Sequence, residues 1–503
     1  MQKRDERKNH FIIWVNRMKI CFMCDLHLPF DTRALQYDVL KWAASDIEKN
    51  SPDCVAFVGD VTCDGNEESY DFFLNTVGKL NTRVLYIPGN SDLRCEATRE
   101  SIKRKSSPCV NLINGTVIYA INDCDGEISS VQLSSMQGAD EGSIVFMHHP
   151  PKAHNKAGAD GLLEWRKTHP KTMLFYGHLH LYKQEDRSIS LPAMDPDKSI
   201  GEAPCIVYYD TVTEEMSKSH YSVSVPENLS ESFGISCYKP TEQIRFATEK
   251  RLKCLELRPN CIGVDRKELT ALIEEWRSLG GENLSVHLPD IGYSNGEVTF
   301  DPHYDEVLEI VSLLKADRMT QHVPKVSLST VERDHNVLKE ICEALAARFN
   351  RISHAVTVGV ENMHMTDKET PDGSRRFGYT PEECIQFMRA LDKCCEHKIG
   401  INFDIGHARN NAPYSQRYQV GTWLSMLGEH IVGYHMHQVT YDNLRFENHM
   451  PITHIYGSLI SLASFFKYWE MGRINEAPIV FEMRDDGAYE KTLTTFDGYI
   501  RNR

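Results

Sequence analysis

Short apolar runs that stop at polar turn residues recur along this chain, and in its first half five of them run straight into side chains that carry chemistry. MKICFMC precedes Asp25-Leu26-His27, CVAFV precedes Gly59-Asp60, RVLYI precedes Pro88-Gly89-Asn90, SIVFM precedes His148-His149, and TMLFY precedes Gly177-His178-Leu179-His180. Runs of this length, bounded by turn residues, predict buried strands. Strand ends then deliver Asp, Asn and His to one edge of a packed core, the rigid support that a metal site requires.

Beyond residue 222 the rhythm changes. The polar stretch SVSVPENLSES reads as a seam. After it come eight strand candidates: 233–238, 253–258, 284–289, 325–330, 355–361, 400–404, 431–437 and 478–483. Helix-like stretches lie between them, among them Glu268 to Leu279, Tyr304 to Lys315, Val337 to Arg348, Pro381 to His397 and Ser458 to Trp469. Eight βα units in about 270 residues match a (β/α)8 TIM barrel in number and length. The chain of 503 residues is too long for one ordinary core. The expected division is an N-terminal extension (1–17), a first α/β domain (18–222), a linker (223–232) and the barrel (233–503). Glu256, His287, Glu361, Asp404, His435 and Glu482 fall at or near the C-terminal ends of the barrel strands, and His407 follows the sixth. That face is where a barrel gathers its catalytic residues.

The five motifs of the first half resemble the calcineurin-like metallophosphoesterase family, whose pattern is D-x-H, G-D, G-N-H-[DE], H and G-H-x-H. The resemblance covers about residues 18 to 222 and implies a four-layer αββα sandwich holding two divalent transition metals, Mn, Fe or Zn. It assigns Asp25, His27 and His180 to one ion and Asn90, His148 and His178 to the other. Asp60 would bridge both, with Asp60, Asn90 and His148 in catalytic roles. Carboxylate and amide oxygens mixed with imidazoles suit such ions, and two of them close together activate a water for attack on phosphorus. The family usually places His after Gly-Asn, yet this chain has Ser91 followed by Asp92. Ser is no comparable general acid near neutral pH. The leaving group then needs little protonation, or His149 or His154 supplies the proton, or turnover is weak. His149, before Pro150-Pro151, reads as a packing residue more than a ligand.

The segments VENMH, FDIGHA, YHMHQ and FEMR resemble the xylose-isomerase-like barrel superfamily, which includes sugar isomerases, sugar epimerases and endonuclease IV. The resemblance assigns one or more divalent metals (Mn, Mg, Co or Zn) to Glu361, Asp404, His435 and Glu482, with His407 and His287 touching substrate or a further metal. His437 shares a strand face with His435 and is the competing ligand. In the epimerase branch two glutamates abstract and return a proton, here Glu361 and Glu482. In the endonuclease IV branch three metals bind a phosphodiester and further histidines come from early strands. The proposed fourth strand, KVSLST, offers none, which favours the isomerase branch. His449 and His454 are late candidates. Arg375 and Arg376, in the polar loop after Glu361, are split between gripping a phosphate and plain solvation.

Charge and composition narrow the partners. A formal net charge of −15 argues against a long nucleic acid, whose phosphates demand a basic face. No run approaches the length of a membrane span, and no signal peptide precedes the first strand. Fifteen cysteines without dense spacing suit a reduced compartment, so a cytoplasmic enzyme is expected. Cys21 and Cys24 read as core packing. No Walker or Rossmann glycine signature appears, which leaves ATP or NAD unsupported. The leading expectation is a bifunctional enzyme, a phosphoesterase acting on a small phosphorylated substrate (nucleotide or phosphosugar) joined to an isomerase-like barrel. The alternatives are a nucleic-acid-processing nuclease with an endonuclease IV-like barrel, and a non-catalytic scaffold.

Overall fold

Each of the five motif-bearing runs is a strand, and four of them are almost completely buried, while Arg83–Ile87 buries only Leu85 and Ile87 fully. The computed structural model describes residues 17–140, 142–153, 156–366, 368–370, 375–441 and 446–501. Most of the N-terminal extension, with its Lys3 to Lys8 run, and His154 lie outside these residues. Lys19–Met23 and Cys54–Val58 pair in parallel, flanked by Arg83–Ile87 on one side and the antiparallel Cys205–Asp210 and Met216–His220 on the other. A second sheet of six strands contains Ile144–Met147 and Met173–Tyr176 side by side. Phe22 of the first sheet stacks on Phe175 of the second with ring centroids 3.9 Å apart. One apolar cluster draws on both sheets, including Ile20, Ala56, Val58, Ile118 and Phe146. This is the expected sandwich. Helices such as Leu35–Asn50 and Lys156–Thr168 complete the α/β pattern.

Two units emerge from the packing. The first comprises Met1–His27, Val39–Met194 and Pro204–Tyr221, and the second comprises Leu28–Asp38, Asp195–Ala203 and Ser222–Arg503. Two short stretches of the first half of the sequence, Leu28–Asp38 and Asp195–Ala203, thus cluster with the second unit.

The second unit is a closed parallel barrel of eight strands: Phe233–Cys237, Cys254–Leu257, Asn283–His287, Arg318–His322, Thr357–Glu361, Ile399–Asp404, Ile431–Met436 and Ile479–Phe481. Seven of these overlap the expected strands. The fourth does not, because residues 325–330 carry only isolated bridges at Lys325 and Ser327 and the start of the helix Leu328–Arg333. The true fourth strand, RMTQH, has the wrong look for a buried strand. Its inward positions hold Arg318, Thr320 and His322, satisfied by Asn402 (2.9 Å), Glu256 (2.9 Å) and Asp290 (2.6 Å) in place of apolar neighbours. The register sets His322 beside Glu361 and Asp404 beside His435, which levels these side chains at one end of the barrel.

Within the barrel unit, the Asp195–Ala203 stretch is fixed by a buried polar network. Gln36 Nε2 donates to Asp195 (2.9 Å), Asp197 (3.0 Å) and Gln419 (3.1 Å), while the Gly421 amide donates to Asp197 at 2.8 Å. Burial, and after it the neighbouring Asp195, push the Asp197 carboxyl up to about 7. A carboxyl whose pKa is raised on folding binds a proton that the unfolded chain has already released. Its effect is therefore to lower stability as pH rises from about 4 to about 7, with a slope of at most about 1.4 kcal/mol per pH unit. Denaturant titrations across that window are expected to show falling stability in the parent and a flatter profile in Asp197→Asn. Equal slopes in the two proteins contradict this assignment.

Candidate metal centres

The turns that follow the strands of the first unit adopt backbone conformations that side chains avoid. Asp25 (φ 52°), His27 (48°), Asp60 (56°), His178 (68°) and His180 (57°) are all left-handed. Such residues cost energy and persist where the surrounding structure over-determines them. The motif glycines show the crowding directly. A Cβ on Gly59 would lie 2.4 Å from His148 Nδ1, and one on Gly89 would lie 2.2 Å from Asp60 Oδ1. Only hydrogen at these positions lets the loops close around the Asp60 carboxylate.

All seven expected side chains of this unit are brought together. His27 Nε2 is 3.1 Å from Asp60 Oδ2, and His148 Nε2 is 3.4 Å from Asp60 Oδ1, so the two oxygens of one buried carboxylate face two groups. His180 Nε2 stands 3.5 Å from Asp25 Oδ1 on the first side. On the other, Asn90 Oδ1 lies 3.1 Å from His148 Nε2 and 2.9 Å from His178 Nδ1. His148 Nδ1 is occupied by the Val58 carbonyl at 3.0 Å, which directs Nε2 into the site. Ligand atoms of Asp25, His27, Asp60 and His180 converge within 4.8 Å of one another, and so do those of His148, His149 and His178. His149 thus stands beside the second group, with its Nδ1 tied to the Asp123 carbonyl at 2.9 Å. Burial opposes ionisation of Asp25, yet His180 and His148 hold it at about 2. Burial likewise opposes charge on His148, but Asp60 and Asp25 raise it to about 9.

Ser91 faces away from this chemistry. It is fully buried, its amide donates to Asp60 Oδ1 at 2.8 Å, and its hydroxyl donates to the Thr62 carbonyl at 2.6 Å. Asp92 accepts from the amides of Val61 (3.1 Å), Thr62 (2.7 Å) and Gly89 (2.9 Å), clamping the two loops together.

In the barrel the carboxylates meet around His435. Its Nδ1 lies 2.9 Å from Glu482 Oε2, 3.3 Å from Glu361 Oε1 and 3.9 Å from Asp404 Oδ2. All four of these buried atoms lack a hydrogen-bond partner. Polar atoms that converge at such distances without hydrogen-bond geometry fit a cation between them. The other ring nitrogen, Nε2, is 3.0 Å from Glu256, whose carboxylate accepts from Ser285 (3.0 Å) and Thr320 (2.9 Å). Neither His435 Nε2 nor the facing Glu256 oxygen makes a hydrogen bond, so Glu256 stands as one more carboxylate against the histidine's second nitrogen. Burial opposes charge on His435, but Glu256, Glu361 and Glu482 raise its pKa well above the ordinary value.

Two further groups flank this one. His287 and His322 each tie Nδ1 to an oxygen, Leu288 O at 2.9 Å and Asp290 at 2.6 Å, and turn Nε2 toward Glu361 at 3.2 and 3.5 Å. Asp404, His407 and His437 form the other group, with His437 Nε2 at 3.3 Å from Asp404 Oδ1. His437 therefore adds to His435 where competition between the two was expected. His449 packs against His437 with ring centroids 4.6 Å apart and the rings tilted by 41°, whereas His454 lies apart with Tyr456 and Tyr499. Arg375 and Arg376 are engaged by Glu383 (3.0 Å) and Glu369 (3.1 Å), which staples the loop. His322 and Arg258 escaped the sequence reading. For His322 the signal was present, a histidine one residue before Val323-Pro324 in a segment spaced correctly for a fourth strand.

Among the described residues no helix is long and apolar enough to cross a membrane, and no disulfide forms. A search of curated proteins finds no match. Solved structures with similar folds include a D-tagatose 3-epimerase-like protein (19% identity over 54% of this chain and 97% of that one, TM-score 0.38). A D-psicose 3-epimerase from Clostridium cellulolyticum H10 matches at 12% identity over 53% and 98%, TM-score 0.37. A dimetal phosphatase from Danio rerio matches at 12% identity over 41% and 99%, TM-score 0.32.

Because the Ser91 hydroxyl is spent on the Thr62 carbonyl, Ser91→Ala is expected to leave the dependence of hydrolysis rate on leaving-group pKa unchanged. Stability should fall by about 1 kcal/mol for the lost buried hydrogen bond. A steeper dependence in the variant, measured over a series of aryl phosphodiesters, would instead make Ser91 a proton donor. Family models match at two places, and on them residues 18–182 are a calcineurin-like phosphoesterase domain and residues 300–498 a xylose isomerase-like TIM barrel.

Proposed function

We propose that this chain is a double phosphoesterase: a dinuclear site in the first unit and a polynuclear site in the barrel, each hydrolysing phosphate esters of a small nucleotide-like or sugar-like substrate. The observation that carries the barrel half is His322. A fourth strand ending in histidine supplies, with His287 and Glu361, a ligand group separate from Asp404, His407 and His437. One metal and two proton-shuttling glutamates need neither flanking group. Several ions do, and they suit a phosphodiester.

Bound ions would supply Lewis acidity toward phosphoryl oxygens and toward an attacking water. The chain's own residues supply the rest. Asp60 spans both groups of the first unit through its two oxygens. Asn90 presents an amide oxygen to His148 and His178, and the left-handed turns fix these side chains before substrate arrives. In the barrel, Leu288 O and Asp290 fix the ring orientation of His287 and His322. His149, adjoining His178, is the side chain nearest to the task that Ser91 cannot perform. The net charge of −15 favours a small ester over long duplex DNA. An isomerase reading keeps one supporting feature, the approach of both Glu361 and Glu482 to His435 (3.3 and 2.9 Å).

The two sites separate by substitution. In a background carrying Asp60→Asn, residual hydrolysis of bis-p-nitrophenyl phosphate reports the barrel alone, and His322→Asn should lower it about 10²-fold or more, as loss of a metal-site residue does. Sugar epimerisation that survives His322→Asn, with no diester hydrolysis in the Asp60→Asn background, would replace the phosphoesterase reading of the barrel by the isomerase one.

A further inference from the structure

The mouth of the barrel contains a fixed positive charge that neither a ligand set nor a proton shuttle explains. Arg258 follows the second strand, two residues after Glu256. Its Nη1 lies 3.1 Å from Glu482 Oε1 and 3.8 Å from Glu256 Oε1, yet this nitrogen makes no hydrogen bond. The guanidinium is held in place from the side. Its carbon sits 5.1 Å from the centre of the Tyr238 ring, and the Tyr238 hydroxyl donates to the same Glu482 oxygen at 2.7 Å. Glu482 Oε1 is therefore already served by the tyrosine, while Oε2 faces His435. The Arg258 side chain keeps 15% of its surface exposed, while Nη1 itself is buried, an unpartnered donor turned toward the carboxylates of the barrel mouth.

Charge decides what that ligand is. Glu256, Glu361, Asp404 and Glu482 place four carboxylates around the mouth, and the Arg258 guanidinium offsets one of the four. A single divalent ion would leave the lining negative, a setting for a neutral sugar. Two or more reverse its sign, and a guanidinium with an unused N–H beside them then forms an anion site. We propose that Arg258 binds the phosphoryl group of the barrel's substrate, selecting anionic esters over neutral sugars. This inference rests on the polynuclear reading above. Arg258 contributes charge and a forked donor, and Tyr238 holds the fork flat against the mouth.

The test uses the full chain with Asp60→Asn, so that phosphate binding at the first unit is weakened, loaded with Mn. Inorganic phosphate is titrated calorimetrically into this protein and into versions that also carry Arg258→Met or Arg258→Lys, with metal content measured in each. The expected result is phosphate binding in the parent, weakened at least about tenfold by Arg258→Met and measurably by Arg258→Lys, at equal metal content. Equal phosphate affinity in parent and variants overturns the proposal and leaves Arg258 as a counter-ion for Glu482. Should Arg258→Met lose metal or fold poorly, Arg258→Lys decides alone, and parent-like affinity there overturns the proposal. A metal-loaded parent that binds no phosphate removes the polynuclear phosphoesterase reading itself.

Discussion

Both units depend on one constraint: carboxylates buried at strand ends must stay ionised, and the low-dielectric interior makes each costly unless a cation faces it. Imidazoles meet that requirement in this structure. Asp60 lies between His27 and His148, and Glu361 lies among His287, His322 and His435. Burial works against charge on these groups, and mutual attraction prevails at Asp60, Glu361, His148, His322 and His435, whereas burial keeps His287 below the ordinary histidine range. His148 and His322 each rise to about 9, so at neutral pH a proton holds each imidazole against its carboxylate. A metal ion has to displace those protons, and affinity should therefore increase with pH up to that range.

The two units reach a similar arrangement by different backbone means. In the sandwich, tight turns in left-handed conformation swing side chains back over the sheet edge, with Gly59 and Gly89 clearing the space. In the barrel the parallel register does the levelling, and strand ends at His287, His322, Glu361 and Asp404 need no strained turn. Outer partners complete both. Asp123 accepts the amides of His148 (2.7 Å) and His149 (2.9 Å) in the first unit, as Asp290 supports His322 in the second.

Four of the five motif-bearing strands of the sandwich were legible because both faces of each are buried, which writes an uninterrupted apolar run into the sequence. Seven barrel strands were legible for the same reason. Arg318–His322 was not, since its inward face packs against other polar groups of the barrel interior, and a hydrophobic criterion passes over it in favour of KVSLST. That single misplacement hid His322 and tilted the sequence reading toward an isomerase. The ligand-type residues of the first unit were readable because motif and strand end coincide. The direction of Ser91 was not readable, for it depends on a hydrogen bond to Thr62. Arg258 was hidden by position: as the last residue of an expected strand, it looks like a solvated cap until Tyr238 and Glu482 are seen to hold it.

The central claim is that the barrel holds several ions where an isomerase needs one. Metal content per chain, measured by inductively coupled plasma mass spectrometry on the full protein loaded with Mn and freed of loosely bound metal, tests it most directly. The account predicts two ions lost or weakened by Asp60→Asn and at least two more that remain, one of them removed by His322→Asn while Glu361, Asp404, His435 and Glu482 retain another. A barrel that holds a single ion, unaffected by His322→Asn, would contradict it.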